Sequence, residues 1–430
     1  MTNRPTDHLA DRPAARPDFP GYLAEMKWRG FFEQCTDEAG LAAALEAGPL
    51  TGYAGFDPTA DSLHIGSLVP IMGLVHLQRH GHRPIAIVGG GTAMVGDPSG
   101  KTELRQMLTV ADIDRNLAGV RGQLGRFVRL GEGPRDGLMI NNADWLRDKG
   151  YIDFLRDVGR HFSVNQMLAR DSVKTRMETG LSFLEFNYMI LQAYDFLMLN
   201  RDYACRLQVG GSDQWGNICS GIDLCRRVNR AEVFGLTYPL ISTATGEKMG
   251  KTAAGAVWLD AARTSPYDFF QYWVNVDDRD VSRFLRLYTL LPPGRIEELE
   301  RLRGADVREA KQVLAAEVTA LVHGEEAAAT AAAAARSAFG GAGDSDAIPS
   351  SSHAAAEFAG EGLPLLDVLA AVGLVESKGE ARRLVRQGGV RVNGEAVADE
   401  QRRLVAADVR GGRIALQLGK KRHHHLRVEG

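Results

Sequence analysis

A histidine and a serine stand three residues apart just after a predicted strand. The strand covers Thr51–Phe56, and a helix is predicted to begin near Gly66, which places His64 and Ser67 at its N-terminus. Free backbone N–H groups and the dipole at a helix start favour a phosphate, and a glycine lets it approach closely. The segment therefore predicts a phosphate site, although Ser62 or Ser67 capping the helix, with His64 on the surface, would also explain it.

A glycine-rich loop follows a second predicted strand, at residues 89–102. It lacks the third glycine of a dinucleotide fingerprint, because Met94 stands there, and it lacks the four-residue spacing of a Walker A loop. It does carry Asp97 and two cations, Lys101 and Arg105, which are one helical turn apart. The loop is therefore interpreted only as a glycine-rich turn with an acid and two cations.

An otherwise apolar helix, predicted over Phe183–Leu199, carries three polar side chains on one face. Tyr188, Gln192 and Asp195 stand at i, i+4 and i+7, and fall within about 60° of one another on a helix. Burying an aspartate without a partner is costly, so Asp195 must meet a polar group. A structural hydrogen-bond network and a small polar ligand are equally compatible with this spacing.

Two further segments combine glycines with charged residues. A strand predicted over Ala204–Val209 runs into a Gly-Gly turn and Asp213, which suits a ribose diol or an ordinary Asx turn. Residues 246–252 hold Lys248 and Lys251 between glycines, which suits a polyphosphate. In isolation, a solvated linker is the simpler interpretation of that second segment.

Strands and helices alternate over the first half of the chain. Further strands are predicted over Arg83–Gly89 and Gly137–Asn141, and further helices over Ser67–His80 and Phe154–Leu168. Strands separated by helices imply a parallel α/β sheet, in which ligands bind at the carboxyl ends of the strands. From residue 265 to about residue 339 only helical patterns are found, and a Gly/Ser-rich stretch follows.

The composition excludes several classes of protein. With 430 residues, 44% hydrophobic and 24% charged, the chain is not wholly disordered. It has no apolar stretch long enough for a transmembrane helix and no secretory signal. None of its four cysteines forms a C-x-x-C pair, so reduced thiols are expected rather than disulfides or zinc ligands. We therefore expect a cytoplasmic enzyme or binding protein.

Charge is distributed unevenly along the chain. Residues 363–430 contain 13 Lys or Arg and eight Asp or Glu, whereas the remainder contains 38 and 46. A basic end on an acidic body suggests a polyanionic partner. Lys378, Arg382 and Arg386 recur every four residues on a predicted helix, with Arg383 beside them. This stripe suits the backbone of a structured RNA, although most charge runs are solvated helix faces.

Taken together, these segments resemble class I aminoacyl-tRNA synthetases. His64–Ser67 resembles the HIGH signature and Lys248–Thr252 the KMSKS signature, in the expected order. Segments 53–57, 96–101, 141–145, 188–195 and 210–217 look like bacterial tyrosyl-tRNA synthetases, and the tail resembles the RNA-binding module named after the fourth small-subunit ribosomal protein. The chain departs from the signatures at Ser67, in place of histidine, and at Gly250, in place of serine, which is expected to add loop freedom.

The patterns and the resemblance together predict an α/β fold with several parts. They are a disordered lead-in over residues 1–21, a Rossmann-like parallel-sheet catalytic domain over 22–252, an α-helical anticodon-side domain over 253–339, a linker over 340–362, and a small α+β RNA-binding module over 363–430. The basic, histidine-rich segment 420–425 is expected to belong to this module.

The resemblance also implies an activity and residue roles. Such enzymes activate L-tyrosine with ATP to tyrosyl-adenylate and pyrophosphate, then transfer tyrosine to the terminal adenosine of tRNA(Tyr). The implied catalytic residues are His64, Ser67, Lys101, Arg105, Lys248, Lys251 and Thr252. The implied tyrosine-binding residues are Tyr53, Asp97, Tyr188, Gln192, Asp195 and Gln208. ATP would contact Gly55, Asp57, Thr59, His64, Gly66, Ser67, Gly211, Asp213, Gln214, Lys248 and Lys251. RNA would contact Lys378, Arg382, Arg383, Arg386, Lys420 and Lys421.

The resemblance implies partners as well. Magnesium would accompany ATP without a protein-ligated metal, and the chain would form a homodimer with no membrane or DNA partner. Two alternatives remain open at this point. A tryptophanyl-type synthetase is disfavoured because Tyr53 and Asp195 offer a donor and an acceptor to a phenol hydroxyl. A non-catalytic RNA-binding protein on a synthetase scaffold is disfavoured by the retained lysines and His64; a P-loop kinase is weaker still.

Overall fold

The computed structural model describes residues 18–99, 108–246, 249–252, 255–340, 348–419 and 422–429. The chain divides into two compact units. The first comprises Met1–Gly250, Val257–Asp260 and Asp277–Val307, and the second Lys251–Ala256, Ala261–Val276 and Arg308–Gly430. Most of the predicted lead-in, residues 1–17, lies outside the described residues. No helix within those ranges is long and apolar enough to cross a bilayer.

The secondary structure alternates as expected in the first unit. The strands are β1 Gln34–Cys35, β2 Thr51–Phe56, β3 Arg83–Val88, β4 Leu138–Asn141, β5 Cys205–Gly211, β6 Phe234–Tyr238, β7 Lys251–Thr252, β8 Gly255–Ala256, β9 Ser350–Ala354, β10 Leu363–Pro364, β11 Val390–Val392, β12 Glu395–Ala396, β13 Arg403–Leu404, β14 Arg413–Leu418 and β15 Arg422–Glu429. The helices are α1 Tyr22–Arg29, α2 Glu38–Glu46, α3 Leu68–Arg79, α4 Val110–Phe127, α5 Ala143–Leu146, α6 Tyr151–Asp157, α7 Val164–Leu168, α8 Asp171–Thr179, α9 Phe183–Tyr203, α10 Trp215–Val228, α11 Pro266–Val274, α12 Val281–Tyr288, α13 Pro293–Glu300, α14 Val307–His323, α15 Glu325–Gly340, α16 Leu365–Ala371 and α17 Lys378–Arg386.

A six-stranded sheet forms the centre of the first unit, in the order β1-β6-β5-β2-β3-β4. All neighbours pair in parallel except β1, which is antiparallel to β6 at the edge. The chain runs outward from β2 through β3 to β4, and then returns to place β5 on the other side of β2. The carboxyl ends of β2 and β5 therefore flank the topological switch point, where ligands bind in such sheets. The Rossmann-like prediction is confirmed.

The predicted strands lie within a few residues of the observed ones, but one predicted helix is wrong. The stretch Phe154–Leu168 is not a single helix, because α6 ends at Asp157 and a 3₁₀ turn covers Gly159–His161 before α7 begins. Glycine is a poor helix former, and Gly159 stands at the break. The sequence analysis also missed β6, whose five residues are all buried.

The second unit contains α11, α14, α15 and a five-stranded sheet in the order β12-β11-β14-β15-β9. Strand β9 lies inside the segment predicted to be a linker, residues 340–362, which is a correction. It pairs in parallel with β15 from Ser350↔His425 to Ala354↔Glu429. Its serines made it look like a linker, yet Ser351 Oγ lies 3.1 Å from His424 Nε2. Segment 422–425 belongs to this module, as predicted. The predicted helical domain 253–339 is divided, since α12 and α13 fall in the first unit.

Candidate active site

A cavity of about 230 Å³ opens at the carboxyl ends of β2, β3 and β5, beside α9. It is lined by Tyr53, Gly55, Phe56, Asp57, Pro70, Ile87, Gly89, Thr92, Asp97, Asn142, Tyr188, Gln192, Asp195, Gln208, Val209, Gly210, Gly211 and Gln214. Tyr188, Gln192 and Asp195 form the polar stripe of α9 and all face this cavity, so the sequence prediction that they share a face is confirmed. The cavity lies where the topology of the sheet predicts a ligand.

Asp195 is the most buried carboxylate of the cavity, at 4% exposure. One oxygen accepts a hydrogen bond from Asn142 Nδ2 at 2.9 Å and the other from Trp145 Nε1 at 2.8 Å. Burial raises the pKa of Asp195 to about 7, against the opposing effect of these two donors. Each carboxylate oxygen has a second lone pair, so an ionised Asp195 can still accept from a ligand hydroxyl.

Tyr53 and Gln208 lie on adjacent strands and leave polar atoms unsatisfied in the interior. They pair in register across β2 and β5. Within the described residues, the Tyr53 hydroxyl and Gln208 Oε1 are buried and have no hydrogen-bond partner. Burial, and then the nearby Asp195, raise the pKa of Tyr53 well above its usual value, so its hydroxyl stays protonated. An unsatisfied buried polar atom costs about 1–3 kcal/mol, which a ligand that pairs with it recovers.

Asp57 connects three elements around the mouth of the cavity. Its Oδ1 accepts from Thr92 Oγ1 at 3.1 Å, and its Oδ2 accepts from the Tyr188 hydroxyl at 3.2 Å. Thr92 Oγ1 in turn accepts from Asn142 Nδ2 at 3.0 Å, which links Asp57 to the partner of Asp195. The two carboxylates are therefore joined by one hydrogen-bonded network.

A second network holds the remaining polar side chains. Gln214 Nε2 donates to Asp97 Oδ2 at 2.7 Å, and Asn217 Nδ2 donates to Gln192 Oε1 at 3.0 Å and to Gln214 Oε1 at 3.2 Å. The backbone N–H of Ser99 donates to the other Asp97 oxygen at 2.9 Å. Asp97, Gln192 and Gln214 therefore present oriented polar atoms to the cavity.

Glycine is required at the turn after β3. A Cβ at Gly89 would lie 2.1 Å from Asp57 Oδ1 and 2.5 Å from Thr92 Oγ1. Any side chain there would break the Asp57–Thr92 contact. The glycine-rich loop thus serves the carboxylate network of this cavity, and this explains why it satisfies neither nucleotide motif.

The two signature segments lie side by side. His64 and Trp258 form an antiparallel bridge, with Leu259 N–H donating to the Leu63 carbonyl at 2.8 Å. Gly250 has φ of +85°, and a Cβ there would lie 2.9 Å from Ile65 Cγ1 and 3.4 Å from His64 Nδ1. The expectation that Gly250 adds loop freedom is therefore wrong: close approach and a left-handed backbone require glycine at this position.

The helix start at His64 differs in detail from the prediction. Residues Ile65–Ser67 form a 3₁₀ turn before α3, and the Gly66 N–H donates to His64 Nδ1 at 3.0 Å. Ser67 makes no side-chain cap, whereas Ser62 accepts from Gln123 Nε2 at 3.0 Å. His64 is thus both exposed and part of the cap. Because its Nδ1 accepts, the neutral ring carries its proton on Nε2.

Not every predicted residue reaches the cavity. Those that line it are Tyr53, Gly55, Asp57, Asp97, Tyr188, Gln192, Asp195, Gln208, Gly211 and Gln214. Those that do not are Thr59, His64, Gly66, Ser67 and Asp213. Lys101, Arg105, Lys248, Lys420 and Lys421 lie outside the described residues, and the side chains of Lys251 and Thr252 are likewise not described. Thr59 is exposed, and Asp213 lies in the 3₁₀ turn after β5.

The sequence analysis missed two residues that hold Asp195 and Asp57 in place. Asn142 and Trp145 follow β4 by one and four residues, and Thr92 follows β3 by four. A polar side chain just past the end of a parallel strand was the available signal, and it was applied to β2 and β5 only.

The cationic stripe of the tail is exposed on α17 but largely paired. Lys378 Nζ lies 2.9 Å from Asp367 Oδ1, and Arg382 and Arg386 both pair with Glu400. Arg383 lines a separate groove with Arg422. The stripe exists as predicted, and two carboxylates reduce its net charge.

Comparisons with known proteins agree with this geometry. A family model of class I tRNA synthetases (W and Y) matches residues 45–340, and a model of the S4 domain matches residues 363–409. The tyrosine–tRNA ligase of Rhodospirillum rubrum is 56% identical over 409 residues, covering 95% of this chain and 98% of that protein. That of Desulfosudis oleivorans is 52% identical, covering 93% and 97%. The crystal structure of a C-terminally truncated Aspergillus nidulans mitochondrial tyrosyl-tRNA synthetase is 29% identical with a TM-score of 0.66, covering 74% of this chain and 94% of that one. The chain therefore belongs to the class I tRNA synthetases of the tryptophan and tyrosine group, and within that group to the tyrosine–tRNA ligases.

Proposed function

We propose that the cavity binds L-tyrosine with its phenol hydroxyl between Tyr53 and Asp195. The observation that carries this proposal is the buried, unpartnered Tyr53 hydroxyl beside a carboxylate that two neutral donors hold in place. Tyr53 donates to the phenol oxygen, and the phenol donates to ionised Asp195. Phenylalanine leaves both groups without that partner, and an indole offers no oxygen to accept from Tyr53.

The ammonium end of the substrate contacts the second network. Asp97, Gln192 and Tyr188 are the oriented oxygens that face the cavity there. This orientation directs the tyrosine carboxylate toward Asp57 and Gln214, where the nucleotide begins. A carboxylate oxygen then attacks the α-phosphorus of ATP, and the bond from that phosphorus to the bridging oxygen of pyrophosphate breaks. The carboxylate is already ionised, so the step needs no general base, and positioning and electrostatics supply the rate.

The phosphates contact the signature segments. His64 Nε2–H and the Ser67 hydroxyl donate to phosphate oxygens, while Lys101, Arg105, Lys248, Lys251 and Thr252 complete the set by resemblance to the family. Gly55 leaves the end of β2 open to the nucleotide, since a Cβ there would meet only Ile87, at 3.5 Å. Asp213 and Gly211 bind the ribose, and Thr59 and Gly66 contribute backbone groups.

Magnesium enters with ATP and stays bound to phosphate oxygens. It neutralises part of the charge that develops on pyrophosphate. Among the residues that the structure describes, no group of three or more His, Cys, Asp or Glu could hold a metal ion. We assign it no protein ligand, and we place the enzyme in the cytoplasm, where ATP and tRNA meet.

In the second step, a terminal ribose hydroxyl of tRNA(Tyr) attacks the adenylate carbonyl and AMP leaves. The basic module, residues 363–430, binds the tRNA, with Arg383 as the cation of α17 that faces a groove. Removal of residues 341–430 tests this assignment. We expect tyrosine-dependent ATP–pyrophosphate exchange to persist and tRNA charging to fall. Charging that survives at physiological salt would contradict it. The cut precedes β9, because this strand pairs with β15.

We further propose that the chain is a homodimer. Large apolar side chains that are more than half exposed are concentrated between residues 151 and 183: Tyr151, Ile152, Val164, Met177 and Phe183. Such a concentration on a chain of ordinary composition indicates a protein interface, and a second copy is the occupant that the family implies. Sedimentation of the wild type and of Ile152→Asp tests this. A stable, active wild-type monomer would refute it.

The experiment that tests the proposed chemistry is ATP–pyrophosphate exchange without tRNA, run with tyrosine, phenylalanine and tryptophan in parallel. We expect exchange with tyrosine alone. Exchange with tryptophan would void the assigned roles of Tyr53 and Asp195. Folded protein that exchanges with none of the three would favour a non-catalytic RNA-binding scaffold.

A further inference from the structure

A buried carboxylate outside the cavity holds the loop that leads to Lys248. Asp280, at 3% exposure, stands immediately before α12. Its Oδ2 accepts from the Ala244 N–H at 2.7 Å, and its Oδ1 accepts from Arg283 Nη2 at 2.7 Å. Arg283 Nη2 also donates to the Ser242 carbonyl. One ion pair therefore binds two backbone groups of the loop, one a donor and the other an acceptor.

The same loop is fixed at its other end. Met249 is buried, and its N–H donates to the Ile241 carbonyl at 3.1 Å, which closes the base of the loop. Gly250 then lies against Ile65, and its carbonyl accepts from the Val257 N–H at 3.0 Å. Residues 241–244 and 249–250 are thus both fastened within the first unit, four residues apart along the chain.

Helix α12, which carries the ion pair, is itself firmly held. The Arg29 guanidinium donates to the carbonyl oxygens of Arg286, Thr289 and Leu291, at 3.0 to 3.1 Å. Glu25 neutralises Arg29 at 2.6 Å in the interior. The Asp280–Arg283 pair is therefore anchored to the body of the unit rather than to a surface helix.

The charge at Asp280 needs an explanation beyond helix capping. Asp280 makes no side-chain cap to α12. Burying a carboxylate costs free energy even when it is paired, and an apolar residue would pack against α12 without that cost. What the carboxylate supplies is a directed acceptor for one loop N–H and a lock on the guanidinium that holds a loop carbonyl. Its geometry is therefore spent on the position of the loop backbone.

We propose that Asp280 and Arg283 are positioning residues for the activation step: they fix residues 242–244 and so set where the chain enters the segment that carries Lys248 and Lys251. The proposal rests on the proposed role of that segment at the phosphates. Neither residue contacts the tyrosine cavity. A small displacement of groups that stabilise a transition state lowers the rate without changing the affinity for the amino acid.

The test compares Asp280→Ala with Asp280→Asn and Glu300→Ala. We expect Asp280→Ala to lower kcat of tyrosine-dependent exchange at least about tenfold, with the Kd for tyrosine unchanged. Asparagine keeps an oxygen for the Ala244 N–H, so Asp280→Asn should recover most of the rate. Glu300→Ala removes the pair with Arg286 elsewhere in the same support and should lower the thermal midpoint while leaving kcat unchanged. Arg283→Lys should show an intermediate loss, which keeps the test valid if Asp280→Ala does not fold.

Several outcomes would overturn the proposal. Equal losses of kcat in Asp280→Ala and Glu300→Ala would show that the pair acts only through stability. A rise in the Kd for tyrosine that matches the loss of rate would show that it supports the whole cavity. An Asp280→Asn variant as slow as Asp280→Ala would rule out the Ala244 contact. A wild type without exchange would instead refute the proposed function, so the two failures are distinguishable.

Discussion

The two ends of the active site are built in different ways. At the amino-acid end, the key side chains come from the interiors of β2, β5 and α9, and they are nearly inaccessible to water. At the phosphate end, His64 is exposed, and Gly66 and Gly250 meet through backbone atoms in turns rather than through packed side chains. One end is a closed hydrogen-bonded interior, and the other is a junction of two loops.

The difference follows from what each end must do. Distinguishing a phenol from a phenyl ring needs unpaired buried atoms that only the correct ligand satisfies, which requires a rigid, dry surround. Stabilising charge on a leaving pyrophosphate needs several donors that converge on a group which then departs. Changes at the first end should therefore alter tyrosine affinity and its pH dependence, and changes at the second should alter the rate.

The largest expected effect is that of Asp195→Ala. Removing the buried acceptor should lower kcat/KM for tyrosine by about 100-fold or more, the equivalent of about 3 kcal/mol for a charged hydrogen bond, with little change in the KM for ATP. Exchange kinetics with each substrate varied in turn measure both. Asp202→Ala, on the exposed end of α9, is the control. Unchanged kinetics with tyrosine would sink the assignment.

A pH profile sharpens the same end. The pKa of Asp195 is raised to about 7, and the phenol needs the ionised form, so kcat/KM for tyrosine should rise with pH and level off above about 7. Trp145→Phe removes a donor that favours the carboxylate, so the acidic limb should move to higher pH and the rate at pH 7 should fall several-fold. Exchange at subsaturating tyrosine from pH 6 to 9 measures this. A limb that stays in place would separate Trp145 from the titration.

Gly250→Ala tests the phosphate end, with Gly246→Ala as a matched control. Both glycines have φ near +85°, but a Cβ at Gly250 meets Ile65 at 2.9 Å, whereas one at Gly246 meets nothing within 4 Å. We expect Gly250→Ala to slow exchange up to about tenfold relative to Gly246→Ala, with tyrosine affinity unchanged. Equal rates for the two variants would show that only backbone strain matters, and not the contact with His64–Gly66.

The smallest expected effect lies outside the catalytic unit. Glu400→Ala frees Arg382 and Arg386 on α17, so tRNA binding should tighten by about two- to threefold at low salt and less at high salt. Filter binding at two salt concentrations measures this. Glu297→Ala, an equal change of charge on exposed α13, is the control. Weaker binding by Glu400→Ala would mean that Glu400 orders the two arginines for RNA.

The polar stripe of α9 could be predicted from sequence because its residues share one helix, so their spacing alone sets their common face. The partners of Asp195 could not, since Asn142 and Trp145 are separated from it by about 50 residues and meet it only through the sheet. Periodicity carries local geometry and is silent on which element faces which.

Errors arose where composition imitated another structure. The serines of β9 suggested a linker, because a strand at a sheet edge does not need an apolar pattern to pair through its backbone. Gly250 suggested freedom, and only the neighbouring Ile65 shows that the glycine is a steric requirement. The prediction of β5 succeeded because its apolar run ends in Gly-Gly, which is a clear boundary signal.

The placement of β15 between β14 and β9 has a consequence for how the protein is made. Residues 350–354 leave the ribosome well before residues 422–429, yet each needs the other to complete its sheet. During synthesis the first unit can fold while β9 still waits for its neighbour. A transcript interrupted shortly before codon 422 would thus yield a chain with a finished catalytic sheet and an open-edged RNA module, a form that proteolytic quality control could recognise by that unpaired edge.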